Sequence, residues 1–207
     1  QKKALEIGGK HFVEIALQLH DIEETTGKYL HLDIEPEPDG LLENSDEVVE
    51  FFKNYLIPIG VEVIGKSLAI NESEAEDLLK RYITICYDIC HFSLAYEEPK
   101  TTFQRFEDVG IRVGKIQVSA ALKIIYNEEI KDEIWESLQK FDEPTYLHQV
   151  TKKIANKVIT YNDLPVVLSE RKDFSELRAH FHVPIFLDQF GALSSTQDHI
   201  LKVVDYL

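Results

Sequence analysis

The chain has 207 residues, which is enough for one domain with a buried core, and 44% of them are hydrophobic, as in ordinary globular proteins. Its formal net charge is −15, from 22 Lys and Arg against 37 Asp and Glu, so no basic stripe is available to bind nucleic acid. No apolar run approaches the roughly 20 residues of a membrane helix, and no signal-peptide pattern opens the chain. We therefore expect a cytoplasmic protein with no nucleic-acid partner and no membrane insertion.

The first residue of the chain, its lack of methionine and its two cysteines lead to further expectations. The sequence begins at Gln1 and contains no methionine, so we expect a fragment, or a chain from which some residues are left out. Residues 1–207 are predicted to belong to a single domain. Cys86 and Cys90 lie four residues apart, and buried free thiols are favoured over a disulfide in a cytosolic protein.

Helical and strand patterns alternate along the whole chain. In the first half the predicted elements are a helix over 12–25 stopped at Gly27, a strand over 29–35, a helix over 45–55 ended by Pro58 and Gly60, an ambiguous strand or loop over 61–70, a helix over 71–81 and a strand over 82–87. In the second half they are a helix over 101–109, a strand over 112–118, a helix over 127–140, strands over 145–150 and 158–161, a helix over 164–169, a strand over 179–183 and a helix over 195–207. Such alternation predicts a parallel sheet covered by helices. Because a closed (β/α)8 barrel needs about 250 residues, the pattern indicates most of a barrel, with a doubly wound open sheet as the alternative.

The first predicted strand ends abruptly in an acidic, proline-rich turn. Pro36 and Pro38 prevent the strand from continuing, so the strand carries Glu35 to its carboxyl end. Carboxyl ends of parallel strands are where α/β proteins place their chemistry. For this strand alone, however, solvated turn residues are the simpler interpretation of the acids.

Several other predicted strands also end in side chains that can bind a metal or a substrate. These side chains are Asp88, His91, Gln117, Ser119, His180 and His182. Carboxylates, imidazoles and amides are ligands of first-row divalent ions, so their recurrence at one predicted edge indicates a metal site. Simpler alternatives are a capping aspartate beside a histidine for Asp88 and His91, and a satisfied buried amide for Gln117. One of the pair His180 and His182 could equally lie in the core and the other on the surface, and His148 and His199 are expected to have packing or surface roles.

Six motifs between about Gly27 and His199 resemble one known family. They are HLDIEPEPDG, CYDICHF, GKIQVSAAL, YLHQV, HFHVPIF and STQDHI, and in order and wording they are similar to the EboE-type metabolite traffic proteins. Those are xylose-isomerase-like TIM-barrel proteins, related to sugar phosphate isomerases and epimerases and to AP endonuclease family 2. The resemblance implies a (β/α)8 TIM barrel, of which about strands 4 to 7 are recognisable in this chain, with a divalent metal at its C-terminal rim.

The resemblance also implies roles for particular residues. The implied metal ligands are Glu35, Asp88, Gln117 and His182, and the implied ion is Mn, Zn, Mg or Co. Glu35 would in addition exchange a proton at the carbon next to a carbonyl, and His91 would orient a substrate hydroxyl, so these two are the expected catalytic residues. The glutamate that the family carries on its final strand has no counterpart in this chain.

Two functions therefore stay open. The first is a divalent-metal-dependent isomerase or epimerase that acts on a small-molecule metabolite, a sugar or polyol. The second is a barrel that binds or hands over such a metabolite without turning it over. A phosphodiesterase acting on abasic DNA shares the implied fold, but it needs more metal ligands and a basic groove, against which the net charge of −15 argues.

Overall fold

The computed structural model describes residues 1–155, 157–172 and 174–207. These residues group into two compact units. The first unit contains Gln1–Pro36, Gly40–Tyr87 and Thr102–Ile116, and the second contains Glu37–Asp39, Asp88–Thr101 and Gln117–Leu207. The single domain predicted over 1–207 stays a prediction. Among the described residues, no helix combines the length and the hydrophobicity that crossing a membrane requires.

Helices predominate up to residue 117, and most of the strands follow it. Up to residue 117 the elements are α1 (Lys2–Thr26), β1 (Leu32–Ile34), α2 (Ser45–Phe51), a π-helical turn (Phe52–Leu56), α3 (Ile57–Leu68), α4 (Glu72–Tyr82), β2 (Ile83–Asp88), α5 (Ile89–Leu94), α6 (Pro99–Glu107) and β3 (Val113–Gln117). After it they are β4 (Leu122–Ile125), a 3₁₀ turn (Glu128–Ile130), α7 (Lys131–Gln139), β5 (Val150–Ile154), β6 (Lys157–Tyr161), α8 (Leu164–Glu170), β7 (Glu176–Ala179), β8 (Gln189–Phe190), β9 (Leu193–Ser195) and α9 (Gln197–Tyr206).

A three-stranded parallel sheet of order β1–β2–β3 runs through the first unit. β1 and β2 are in register with Asp33 opposite Thr84. Every residue of β2 is buried, as expected for a parallel strand that is covered on both faces. β2 and β3 end at Asp88 and Gln117, which are already residues of the second unit.

The helices predicted over 12–25, 45–55 and 71–81 are confirmed, although the first begins already at Lys2, whereas residues 57–68 differ from the prediction. α1 ends at Gly27, which adopts the left-handed conformation (φ 70°) of a helix C-cap, as predicted. The predicted stop at Pro58 is wrong, because this proline lies in the first turn of α3, directly after the π-helical turn Phe52–Leu56, and the helix continues past it. Gly60 does not end the helix either: it lets α4 approach, since a Cβ there would lie 2.5 Å from Leu79 Cδ2. Residues 61–68 are therefore helical.

A six-stranded antiparallel sheet of order β6–β5–β7–β4–β9–β8 forms the second unit's framework. The hairpin predicted around residues 158–161 is confirmed as β5–β6. The parallel pairing predicted for the strands after residue 117 is wrong. Parallel neighbours need a crossover of a dozen or more residues, whereas β8 and β9 are joined by the short turn 191–192. The described strands close no barrel, and the (β/α)8 TIM barrel stays a prediction from the resemblance.

Two strand boundaries near the candidate site differ from the prediction. The strand expected over 145–150 begins only at Val150, and the strand expected over 179–183 ends at Ala179. His180 and His182 therefore follow β7 instead of alternating along it. The reason is a tight turn, in which the backbone N–H of Phe181 donates to the carbonyl of Ala179. Cys86 and Cys90 are buried free thiols, as predicted.

A buried arginine holds three elements of the second unit together. Arg178 on β7 is 8% exposed, and its Nε donates to Glu176 Oε1 over 2.7 Å. Its Nη1 donates to the carbonyl of Ser93 on α5 and lies 3.3 Å from Nε2 of His199 on α9. The guanidinium carbon also lies 4.0 Å from the centre of the Tyr96 ring, a cation–π contact. The packing role expected for His199 agrees with these contacts.

The stability of the chain should fall on acidification because His199 is buried. Burial, followed by the positive charge of Arg178, lowers the pKa of His199 from 6.5 to about 4. Between these two values the unfolded chain takes up a proton that the folded chain does not, so stability is lost as the pH falls through this window. We expect this group alone to cost about 2 kcal/mol between pH 7.5 and pH 5, measured by urea unfolding.

Two variants isolate the contribution of this histidine from that of the other titrating groups. His199→Gln keeps an oxygen that can accept from Arg178 but cannot titrate, so its loss of stability over the same pH range should be smaller by that amount. His11→Gln, at an exposed position of α1, should behave like the wild type. Equal losses in the wild type and in His199→Gln would contradict the prediction.

Candidate metal centre

Asp88 stands at the end of β2 and immediately before α5, and its side chain is fully buried. Its Oδ1 accepts from the backbone N–H of His91 over 3.2 Å and from Ser119 Oγ over 2.6 Å. Its Oδ2 accepts from the amide nitrogen of Gln117. The predicted alternative, a capping aspartate three residues before a histidine, is thus confirmed. These donors also fix the direction of the carboxylate, as groups around a metal ligand do.

Three imidazoles, those of His91, His180 and His182, lie next to one another in the second unit. The ring centres of His91 and His180 are 4.8 Å apart, and the ring of His182 lies 5.9 Å and 5.7 Å from them. His91 is buried, His180 is half-buried and His182 is exposed. The cluster therefore extends from the interior of the unit to its surface.

Two sets of these side chains bring three potential ligand atoms within 4.8 Å of one another. One set is Asp88, His91 and His182, and the other is Cys90, His180 and His182. Burial, followed by the negative charge of Asp88, raises the pKa of the Cys90 thiol well above its usual range. Because a metal binds the thiolate, an ion at the Cys90 set has to displace the thiol proton, which favours the set with Asp88.

His180 lies beside the proposed ligand set but is not a member of it. Its Nε2 lies 3.0 Å from Nε2 of His91, a hydrogen-bonding distance, and among the described residues no set of neighbouring ligand atoms contains both rings. Burial, followed by the neighbouring imidazoles of His91 and His182, lowers the pKa of His180 to about 4. The ring is therefore neutral at pH 7, and one of its two nitrogens carries a lone pair.

The donor chemistry of the cluster fits a first-row transition metal. One carboxylate with two imidazoles suits Zn, Co or Fe(II), whereas Mg prefers a shell of carboxylates, carbonyls and water. The exposed position of His182 leaves one side accessible, and a catalytic metal needs such an open coordination position. Of the four ions that the resemblance implies, Zn and Co match these ligands best.

The structure brings together three of the five residues expected at the site. Asp88, His91 and His182 form one set of neighbouring ligand atoms. Gln117 lies beside them and donates to Asp88, so its role as a direct ligand stays a prediction. Glu35 is exposed at the end of β1 and belongs to the first unit, so the cluster of the second unit does not contain it. Its roles as ligand and base stay predictions.

Residues that sequence reasoning missed lie next to the cluster. Gln149 Oε1 is 3.0 Å from His180 Nδ1, and Gln149 Nε2 donates to Asp39 Oδ2 over 3.2 Å. The spacing in sequence does not predict the contact between Gln149 and Asp39, because 110 positions separate these two residues. His148 is buried, with Nδ1 3.2 Å from the carbonyl oxygen of His180 and Nε2 2.9 Å from Glu143 Oε1. These contacts agree with the packing role expected for His148.

No protein-family model, curated protein or solved structure matches the chain. The resemblance to the EboE-type proteins therefore stays a prediction, as do the activity and the metabolite that it implies. What the structure contributes is the geometry of the second unit, in which a carboxylate and three imidazoles lie close together.

Proposed function

We propose that this chain binds one divalent transition-metal ion at Asp88, His91 and His182 and acts on a small sugar or polyol as an isomerase or epimerase. The observation that carries the metal proposal is the approach of one carboxylate and two imidazoles to within 4.8 Å of one another. The exposed edge of the cluster at His182 is where a hydroxylated metabolite would reach the ion. The choice of reaction rests on the resemblance alone.

The bound ion would supply positive charge that stabilises negative charge on two substrate oxygens and so acidifies the neighbouring C–H group. The residues of the chain have separate tasks. Asp88 is held in one direction by its three donors and so presents its carboxylate ready for the ion. In the proposed reaction His91 orients a hydroxyl of the substrate, and Glu35 accepts the proton, as the resemblance implies.

A protein that binds such a metabolite without turning it over is the second candidate. It is favoured by the small number of acids among the candidate ligands of the second unit. The two sets contain a single carboxylate, Asp88, which already accepts three hydrogen bonds and is itself a proposed ligand. A base for proton transfer has to come from elsewhere, and the residue proposed for it, Glu35, belongs to the first unit.

Exchange of a substrate proton with solvent distinguishes the two candidates. The zinc- or cobalt-loaded chain is incubated in D2O with a panel of aldoses, ketoses and polyols, and deuterium next to the carbonyl is followed by proton NMR. An isomerase or epimerase should exchange this position. Glu35→Gln should slow the exchange by about 10²–10⁴-fold, the usual contribution of a general base, and a loss of metal in the same variant would support the ligand role that the resemblance implies.

Glu37→Gln is the matched control, since it removes a second exposed carboxylate from the same turn. It should leave the exchange unchanged. Full activity in Glu35→Gln would contradict the role of Glu35. A wild-type protein that is stabilised against heat by a sugar but exchanges no proton would favour the binding function instead.

A further inference from the structure

Three polar side chains form a line that ends at the imidazole cluster. Asp39 Oδ2 accepts from Gln149 Nε2, and Gln149 Oε1 lies 3.0 Å from His180 Nδ1. On the other side of the same ring, His180 Nε2 lies 3.0 Å from Nε2 of His91. All four side chains belong to the second unit.

The hydrogen positions along this line follow from the hydrogen bond at its exposed end, Asp39. An ionised carboxylate can only accept hydrogen bonds, so Asp39 requires the amide nitrogen of Gln149 to face it. The amide oxygen of Gln149 must then face His180, whose Nδ1 therefore carries a hydrogen. A neutral imidazole has only one N–H, so Nε2 of His180 carries the lone pair and accepts from Nε2 of His91.

Two further observations support the view that Asp39 and Gln149 orient the His180 ring. Gln149 is only 8% exposed, and both ends of its amide are used. Asp39 has a left-handed backbone with φ 62°, a conformation that glycine adopts at lower cost. Aspartate tolerates this conformation in turns, and it is the residue that carries the carboxylate facing Gln149.

We propose that Gln149 and Asp39 are positioning residues that hold His180 in the Nδ1–H tautomer and direct its Nε2 lone pair into the imidazole cluster. The consequence for metal binding rests on the proposed function, in which His91 and not His180 is a ligand. A metal-binding histidine commonly donates its other N–H to an acceptor behind it, and this partner fixes the ring and its tautomer. The Nε2 lone pair of His180 is that acceptor for His91, which keeps its second ring nitrogen for the ion.

The test measures the tautomer and the metal affinity separately. Full-length protein with ¹⁵N-labelled histidine is examined by NMR without metal at pH 7.5, and the His180 signals are assigned with a His180→Gln variant. The wild type should show Nδ1–H at His180. Gln149→Leu should lose this preference, and its affinity for zinc, measured by competition with a chelating dye, should fall about 10–100-fold.

A control and a rescue separate positioning from a general loss of structure. Gln139→Leu removes an amide that bonds another aspartate, Asp142, on the surface, and it should change neither measurement. Gln149→Glu combined with Asp39→Asn reverses the hydrogen bond between these two positions, so that position 39 donates and position 149 accepts, but it keeps an acceptor facing Nδ1 of His180. This double variant should restore the Nδ1–H tautomer.

The proposal is overturned if His180 carries Nε2–H in the wild type, or if Gln149→Leu keeps both the tautomer and the affinity. It is also overturned if the double variant folds but does not restore the tautomer. A wild type that shows Nδ1–H, loses it in Gln149→Leu and binds neither zinc nor cobalt would support the positioning role while overturning the metal proposal. The two proposals can therefore fail separately.

Discussion

His182→Ala is expected to weaken zinc or cobalt binding by about 100-fold or more while the protein stays folded. A structural zinc site of four ligands binds with about 10–16 kcal/mol, so one ligand contributes about 3 kcal/mol, which corresponds to that factor. His182 is exposed, so its truncation opens no cavity in the core. Metal content after purification without chelator, and the absorption of the cobalt-loaded protein, measure the loss directly.

Two further variants make the metal prediction specific. Asp88→Asn keeps an oxygen that can cap α5 but removes the negative charge, so it should also lose the metal while staying folded. His11→Ala removes an exposed histidine of the first unit and should bind as the wild type does. A wild type and a His182→Ala variant that bind the same amount of metal with the same affinity would refute the proposed ligand set.

Arg178→Met is expected to cost about 3 kcal/mol or more in the free energy of unfolding. Removing the buried Arg178 leaves the half-buried carboxylate of Glu176 without its partner, and the carbonyl of Ser93 also loses its donor. The loss matters for the site because Arg178 precedes His180 by two residues and bonds to α5, the helix that carries His91. Urea unfolding can be followed by the fluorescence of Trp135, the only tryptophan of the chain, which is buried on α7.

Lys131→Met provides the comparison for this prediction. Lys131 pairs with Glu128 at the surface, where an ion pair contributes less than about 1 kcal/mol, so its loss should hardly change the stability. Arg178→Lys keeps the charge but not the planar fork of donors, and its stability should lie between those of the wild type and Arg178→Met. A loss below about 1 kcal/mol in Arg178→Met would show that the arginine does not hold β7, α5 and α9 together.

Local patterns correctly predict the elements that local physics determines. The amphipathic spacing of α1 and its left-handed glycine stop depend only on residues close in sequence. The contact between Asp88 and His91 is also local and can be predicted from the sequence, because an N-cap side chain reaches the third residue of its helix. The acids and imidazoles stand out as a group because they follow predicted strands.

Patterns fail where the outcome depends on contacts between distant segments. A β pattern marks a strand but does not say which neighbour it will pair with, so the strands after residue 117 are predicted to be parallel and are in fact antiparallel. The strand or loop predicted over 61–70 is wrong, since the chain is helical up to Leu68 and packs there against α4, where Gly60 lets Leu79 come close. Tertiary contacts of this kind override a weak local preference.

By itself, the sequence determined most of the helices, the existence of most strands, the acidic character of the chain and the residues from which a metal site could be built. Only the tertiary structure decided which of these residues meet. It placed Asp88, His91 and His182 together in the second unit and Glu35 in the first. It also connected Gln149 to Asp39 across 110 positions. Hydrogen bonds between side chains depend on distance and direction in space, and a spacing along the chain contains neither.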